Sequence, residues 1–126
     1  MIRKTRQREA ILRALREQGR PLSPAEIQES AAREIEGLGM ATVYRAIRAL
    51  VEEGVAVAVE LPGEPARYES REAAVHHHHH FRCDDCGRVF DIPGCPRGVE
   101  NLTPEGFRTV GHELLLFGQC RDCAAD

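Results

Sequence analysis

The stretch His76–Cys86, HHHHHFRCDDC, brings five consecutive histidines close to a C-x-x-C pair. Histidine and cysteine are common protein ligands of transition metals. The segment that follows contains the turn residue Gly87 and the apolar residues Val89, Phe90 and Ile92, a composition that favours β-strands. We therefore predict that the histidines lie on a strand and that this part of the chain binds metal.

A strand divides the histidines into two sets. Successive side chains point to opposite faces of a strand, so His77 and His79 point one way and His78 and His80 the other. Each pair needs further ligands to hold a cation. His76 is predicted to be an unused surface residue.

Carboxylates are the candidate ligands beside the even-numbered histidines. For an extended chain we take Glu69 and Asp91 as the candidate acidic residues. Nitrogen ligands with a carboxylate suit Zn²⁺, Fe²⁺, Mn²⁺ or Ni²⁺ without selecting among them. We predict a first regulatory site, next to a hinge, made by Glu69, His78, His80 and Asp91.

The odd-numbered histidines face a different set of candidate ligands. His77 and His79 can recruit His112 from the last predicted strand. A fourth ligand from the preceding loop is either Glu100 or Cys95, and the sequence leaves this choice open. These residues form the predicted second regulatory site.

The cysteines predict a third metal site. Four of the five form two C-x-x-C pairs, Cys83/Cys86 and Cys120/Cys123. Two such pairs suit a tetrahedral Cys₄ zinc site, whose four protein ligands leave no open position and indicate a structural role. The alternative is two free or redox-active dithiols.

Charge separates the two parts of the chain. Residues 1–50 contain ten Lys/Arg and six Asp/Glu, whereas residues 51–126 contain seven and fourteen. A basic first part joined to an acidic, metal-rich second part suggests a polyanion-binding module coupled to a cation-binding one. We see no apolar run long enough for a membrane span and no signal peptide, so we predict a cytoplasmic protein that does not contact membranes.

The first part reads as a helix-turn-helix domain. Helices are predicted over residues 5–18, from Ser23 to Gly37, and over residues 41–53. Ser23 and Glu26 form a capping box around Pro24 at the first helical position. The core-facing side of the third helix is apolar and its other side is polar, which is typical of a recognition helix. The alternative is a plain three-helix bundle.

Two short strands follow the third helix, over residues 55–61 and 66–69, with a turn at residues 62–65. Strands in this position form a wing, so the first part is predicted to be a winged helix. Its predicted DNA-binding residues are a basic cluster at the N-terminus and the outer face of the third helix. They are Arg3, Lys4, Arg6, Arg8, Thr42, Tyr44, Arg45 and Arg48.

The second part is short and rich in β-structure. Its predicted strands are the histidine strand, Arg88–Ile92 and Thr109–Phe117. The proline-containing loop between the last two allows only a short, broken helix. Three strands are marginally stable alone and would gain from metal binding and from pairing with a second copy. The predicted domains are residues 1–70 and 76–126, with a hinge at 71–75.

Several stretches resemble, in order, segments of the Fur family of metalloregulators, and are most like its zinc-responsive Zur branch. TRQREAIL resembles the start of the family, ATVYRAIRALVEEGV its recognition helix and RYE the end of its wing. HHHHHFRCDDCGRVFDI resembles its metal strand, and GFRTVGHELLLFGQCRDC its last strand with the second C-x-x-C pair.

The resemblance implies an α+β fold, with an N-terminal winged-helix domain followed by a small α/β dimerisation domain with a three-stranded sheet. It implies a dimeric repressor that binds double-stranded operator DNA when its sensing sites are loaded, and that is neither an enzyme nor a binder of small organic substrates. Zinc uptake would be the regulated process. The implied structural zinc ligands are Cys83, Cys86, Cys120 and Cys123. The implied sensing residues are Glu69, His78, His80 and Asp91, and then His77, His79 and His112.

Some residues depart from the family pattern. The stretch Gly19–Leu22 lacks the histidine that many iron- and peroxide-sensing members have before the second helix. Ser70–Val75 lacks the cysteine that zinc-sensing members can use at the hinge. From the likeness to the Zur branch the metal sensed is predicted to be zinc, with iron, manganese, nickel or peroxide sensing as alternatives.

Two other function classes compete with a repressor. A zinc-dependent enzyme would need a catalytic pattern such as H-E-x-x-H, and none is found. A metal-storage protein would not explain the recognition-helix pattern or the basic first part.

Overall fold

The computed structural model describes the backbone of residues 2–74 and 78–125, and their side chains except those of residues 2–4 and 78. The chain divides into two compact units, residues 1–76 and 77–126. In the first unit the elements are α1 (Ile2–Gln18), α2 (Pro24–Ala32), α3 (Met40–Glu52), β1 (Ala56–Val59) and β2 (Arg67–Ser70). In the second they are β3 (His78–Cys83), β4 (Val89–Pro93), a 3₁₀ helix (Val99–Leu102), β5 (Leu115–Gly118) and α4 (Arg121–Ala124).

The predicted hinge precedes the division between the units. Residues 71–74 form a turn in which the Ala74 N–H donates to the carbonyls of Ser70 and Arg71. Val75 lies outside the described residues. No helix within the described ranges is long and apolar enough to cross a membrane.

The start of α2 follows directly from the local sequence. The Glu26 N–H donates to Ser23 Oγ at 3.2 Å, and the Ser23 N–H donates to Glu26 Oε1 at 3.0 Å. Pro24 occupies the first helical position, so the predicted capping box is confirmed. The helix ends at Ala32, earlier than predicted, because the chain turns there and brings Ile35 against the core.

The helices of the first unit enclose an aliphatic core. From α3, Val43, Ile47 and Leu50 are buried, and Tyr44 on the other side is 56% exposed. The predicted core-facing row also included Val51, which is partly buried against the core. The buried cluster comprises Ala10, Ile11, Leu15, Leu22, Ile27, Ala31, Leu38, Val43, Ile47, Leu50 and Ala56. The helix α1 starts at Ile2, three residues before the predicted start.

The wing is a two-stranded antiparallel ribbon of β1 and β2, in which Val57 pairs with Glu69. Leu22 and Tyr68 exchange two backbone hydrogen bonds of 2.8 Å, so the segment before α2 is tied to β2. Three helices followed by this ribbon make a winged helix, as predicted.

The second unit contains a three-stranded sheet of order β4-β3-β5. β3 runs antiparallel to β4 and parallel to β5, with His80 opposite Asp91 on one side and Leu115 on the other. The predicted α+β fold class with this sheet is confirmed.

The last predicted strand, Thr109–Phe117, is wrong over its first half. In the observed register Leu115 pairs with His80, so the residues before Glu113 would lie beyond His78, where β3 begins. The segment from Thr109 to Leu114 is irregular. The short helix α4 was not predicted; Cys120 is its N-cap residue.

Candidate metal centres and nucleic-acid interface

The four paired cysteines converge at one end of the second unit. Their sulfurs all lie within 4.8 Å of one another, and Cys86 Sγ is 3.9 Å from Cys120 Sγ. Sulfurs bound about 2.3 Å from a tetrahedral zinc lie roughly 3.8 Å apart. The geometry and the donor chemistry of Cys83, Cys86, Cys120 and Cys123 therefore both fit Zn²⁺.

The register of the sheet brings the two cysteine pairs together. Cys83 is the last residue of β3 and pairs with Gly118 at the end of β5. The Asp84 N–H donates to the Gly118 carbonyl at 2.7 Å, which holds the two strand ends side by side. The second C-x-x-C pair follows β5 at once, so parallel pairing places Cys120 next to Cys83.

The environment of the cysteine group favours a thiolate at Cys83. The backbone N–H of Cys86, and less strongly that of Cys120, lowers the pKa of Cys83 to about 6 against the opposing effect of burial. Hydrogen bonding with the sulfurs of Cys83 and Cys120 raises the pKa of Cys123 to about 12. Metal ligation requires the thiolate form.

The opposite faces of β3 carry two further groups. His79 is buried, and its Nε2 lies 3.1 Å from Nε2 of His112. Ligand atoms of His79, Cys95 and His112 all lie within 4.8 Å of one another. Of the two candidates from the loop, Cys95 is in this group; Glu100 is exposed on the 3₁₀ helix and is not part of it.

His80 has a different partner from His79. Its Nε2 lies 3.2 Å from Oδ1 of Asp91, on the strand paired with it, and both side chains are largely buried. The alternation predicted for the histidine strand thus separates an imidazole–carboxylate pair from the His79 group.

Three predicted metal ligands need separate mention. Glu69 belongs to the first unit, in β2. His77 and the side chain of His78 lie outside the described residues, as does His76. The ligand roles assigned to all of them stay predictions.

A polar surface on the first unit contains the residues of α3 that were predicted to contact DNA. Tyr44, Arg45 and Arg48 are exposed, and Arg45 Nη2 lies 3.3 Å from Thr42 Oγ1. These three side chains, together with Tyr68 and Ala58 of the wing, line an open groove of about 470 Å³. Two cationic groups and a phenol on one helix face have the chemistry to contact phosphates and base edges.

In the predicted basic cluster on α1, one arginine side chain is already engaged in an ion pair within the protein. Arg6 is exposed, whereas Arg8 donates to both carboxylate oxygens of Glu53 at 3.0 and 2.6 Å. The side chains of Arg3 and Lys4 lie outside the described residues.

The sequence and fold match a family of known regulators. The model of the ferric uptake regulator family matches residues 1–117. The zinc uptake regulation protein of Mycobacterium tuberculosis is 31% identical over 125 residues, covering 97% of this chain and 95% of the relative.

This chain belongs to the ferric uptake regulator family.

Solved structures of the family agree with the fold. The Helicobacter pylori ferric uptake regulator, whose structure reveals three functional metal binding sites, aligns with a TM-score of 0.66 at 29% identity, over 93% of this chain and 79% of the other. A zinc-bound manganese uptake regulator, 24% identical, has the same fold with a TM-score of 0.77 over 90% and 87% of the chains. These family members are named for zinc, iron and manganese, so membership establishes a metal-responsive regulator and leaves the metal open.

The contribution of α4 to the site is the element that sequence reasoning missed. In the second C-x-x-C pair, Cys120 precedes this helix and Cys123 lies within its first turn, so the helix directs both sulfurs to the same point. The spacing of the pair was the available signal, because residues three apart lie on one side of a helical turn.

Proposed function

We propose that this protein is a zinc-sensing transcriptional repressor that binds operator DNA as a homodimer in the cytoplasm and controls zinc uptake. The observation that carries the proposal is the placement of two donor groups on opposite faces of β3, apart from the four cysteines. The cysteine group has four protein ligands and is closed. The groups around His79 and His80 are the ones that can respond to the concentration of a cation.

Zinc as the sensed cation is supported by two features of the chain. The zinc uptake regulation protein of M. tuberculosis matches nearly the whole length of this chain. The segment before α2, Gly19–Leu22, contains no histidine. Bound zinc would supply a fixed tetrahedral set of bonds between ligands.

The regulatory step assigns roles to residues on both sides of the hinge. His80 and Asp91, already 3.2 Å apart, would form half of a site that Glu69 and His78 complete. Holding Glu69 with the other ligands would restrict the connection at residues 71–75. In a restricted dimer, a larger fraction of molecules presents the two recognition helices at the spacing of the half-sites. The apparent affinity for DNA rises in proportion to this binding-competent fraction.

The homodimer is supported by the edge of the sheet in the second unit. β5 is the last strand in the order β4-β3-β5. Its side chains Leu116 and Phe117 are 47% and 65% exposed. An edge strand with unpaired backbone groups and apolar side chains is a template for pairing with another strand, so a second copy of this unit would continue the sheet.

DNA binding at buffered metal concentrations tests this function. A random duplex pool is first enriched on the zinc-loaded protein, and the selected duplex is then titrated with Zn²⁺, Fe²⁺, Mn²⁺ and Ni²⁺ in turn. We expect tight binding at the lowest free concentration with Zn²⁺. The variants Tyr44→Ala and Arg45→Ala should each weaken binding by about 1–3 kcal/mol without changing zinc content.

Three outcomes would contradict the proposal. Equal affinity of the metal-depleted and loaded proteins would remove metal control. A stronger response to another cation would replace zinc as the sensed metal. Unchanged affinity in both α3 variants would exclude that helix as the reader of DNA.

A further inference from the structure

We propose that Cys95 is a thiolate ligand of the site formed with His79 and His112, and that it makes this site selective for thiophilic cations such as Zn²⁺, Cd²⁺ and Co²⁺ over Mn²⁺. The inference rests on the proposed metal-sensing function and names the class of cation for one of its sites. Cys95 is the one cysteine of the sequence outside the two C-x-x-C pairs.

The fold delivers Cys95 to the histidines from the end of β4. Ile92 in β4 pairs with His79 in β3, and Cys95 follows three residues later. Pro93 ends the strand and Gly94, with φ of +81°, turns the chain. A positive φ is readily adopted by glycine, so this turn brings the thiol back toward the face that carries His79.

The distances fit a shared cation. The Nε2 atoms of His79 and His112 are 3.1 Å apart. Two nitrogens bound at about 2.0–2.1 Å with a tetrahedral angle lie roughly 3.3 Å apart. The Cys95 sulfur lies within 4.8 Å of a ring nitrogen of each histidine, close enough to become a ligand with a small adjustment of its exposed loop.

Burial holds one ligand of the site in place before a cation binds. His79 is 2% exposed, so its imidazole is held by its surroundings, whereas Cys95 is exposed at the edge of the group. A cation can therefore reach the site from the side of the thiol. Two nitrogens and one sulfur leave the fourth position of a tetrahedral ion to water or to another ligand.

The sulfur changes which cations the site prefers. Thiolate is a soft ligand that favours Zn²⁺, whereas carboxylate oxygens suit Mn²⁺. The alternative ligand Glu100, which would give an all-nitrogen-and-oxygen site, is not in this group. With Cys95 as a ligand, the site formed by the same two histidines prefers cations that bind sulfur strongly.

Cobalt spectroscopy of the full chain, with zinc retained on the four paired cysteines, tests the ligand directly. Bound Co²⁺ should show a thiolate-to-cobalt charge-transfer band in the near ultraviolet. Cys95→Ser should lose this band. His80→Ala is the matched control: it removes an imidazole from the other face of β3 and should leave the band in place.

Metal competition tests the selectivity. Cys95→Ser should lower the affinity of this site for Zn²⁺ and Cd²⁺ by about 10-fold or more, because even the loss of a group that only hydrogen-bonds to a metal ligand lowers metal affinity by about that factor. The affinity for Mn²⁺ should change much less. Cys95→Asp should lower the ratio of Zn²⁺ to Mn²⁺ affinity by restoring an oxygen ligand. Since Cys95 is exposed, both variants should fold with their structural zinc.

The outcomes separate this inference from the proposed function. A charge-transfer band that survives in Cys95→Ser, or equal losses of Zn²⁺ and Mn²⁺ affinity, would overturn the inference even if zinc-dependent DNA binding holds. A band lost only in Cys95→Ser would support it even if the protein proves to bind DNA without metal.

Discussion

The two units of this protein are stabilised by different means. The first encloses a cluster of eleven buried apolar residues from its three helices, β1 and the connecting segments. Among the described residues of the second, the buried set contains His79, Cys83, Val89 and Cys120. Three of these four residues are potential metal ligands, so the interior of the second unit is largely a set of metal-binding groups.

The difference shows where metal dependence resides. An apolar core stabilises by removing hydrocarbon from water and needs no ligand. A small unit with little apolar interior usually requires a disulfide, a metal or a partner chain. We therefore expect the winged helix to fold without zinc and the second unit to depend on it.

Loss of one structural cysteine should have the largest effect. Zinc bound by such sites contributes apparent free energies of about 10–16 kcal/mol, which is comparable to the whole stability of a domain. Cys120→Ser should therefore lose the tightly held zinc and unfold the second unit. Hydrogen exchange should show fast exchange in β3–β5 and unchanged protection in α1–α3.

Cys95→Ser is the control for this variant, because it removes an exposed thiol outside the four-cysteine group. It should keep both the zinc and the slow exchange. Protection of β3 in zinc-free Cys120→Ser would show that the second unit does not need the metal.

A cavity in the apolar core should have the next largest effect, and in the other unit. Leu50 is fully buried among the helices of the first unit. Truncation of a buried leucine to alanine costs about 2–5 kcal/mol. Leu50→Ala should lower the denaturant midpoint of the helices, followed by far-ultraviolet circular dichroism, without release of zinc. Release of zinc in parallel would mean that the two units unfold as one.

Features with a short sequence signature were predictable, whereas strand register was not. The start of α2 was predictable because Ser23 and Glu26 form a capping box within four residues. The convergence of the cysteines was predictable because two C-x-x-C pairs suit one tetrahedral ion. The extent of β5 was not, because it depends on the register against β3.

The fourth candidate ligand beside the odd-numbered histidines was left open for the same reason. Choosing between Cys95 and Glu100 requires the path of a loop that contains Gly94, Pro96 and Gly98. No short-range pattern in the sequence encodes that path. The partner of Arg8 was also hidden, since Glu53 lies at the far end of α3.

The half-buried carboxylate of Glu26 should make the stability of the first unit sensitive to acid, by a smaller amount. Burial opposes ionisation of Glu26, but hydrogen bonding by the Ser23 N–H and the Arg20 guanidinium outweighs it and lowers the pKa of Glu26. Arg67 of β2 also binds this carboxylate, at 2.9 Å. The ionised form therefore joins α2 to the wing.

The sign of the pH effect follows from the lowered pKa. The stabilisation is complete above the ordinary pKa of a glutamate and is lost as pH falls through the lower value of the folded state. Glu26→Gln should cost about 1.5–3 kcal/mol at neutral pH, the range for hydrogen bonds to charged groups, and flatten the acid limb of stability. Glu29→Gln, on the exposed side of the same helix, is the control. Equal acid limbs in wild type and Glu26→Gln would contradict this assignment.

The smallest effect on stability is expected at the surface pair Arg8–Glu53. Its side chains are 38% and 50% exposed, and exposed ion pairs contribute about 0–1 kcal/mol. If the apolar core carries the stability of this unit, Glu53→Gln should leave the free energy of unfolding nearly unchanged.

The same substitution, Glu53→Gln, frees the Arg8 guanidinium for a phosphate. It should therefore increase the affinity for duplex DNA and steepen the salt dependence of binding by up to about 0.9 in logarithmic slope. Glu34→Gln removes the same charge from the similarly exposed pair with Arg13, 2.8 Å apart, and controls for net charge. Equal changes in DNA affinity for the two variants would assign the effect to overall charge and remove Arg8 from the DNA interface.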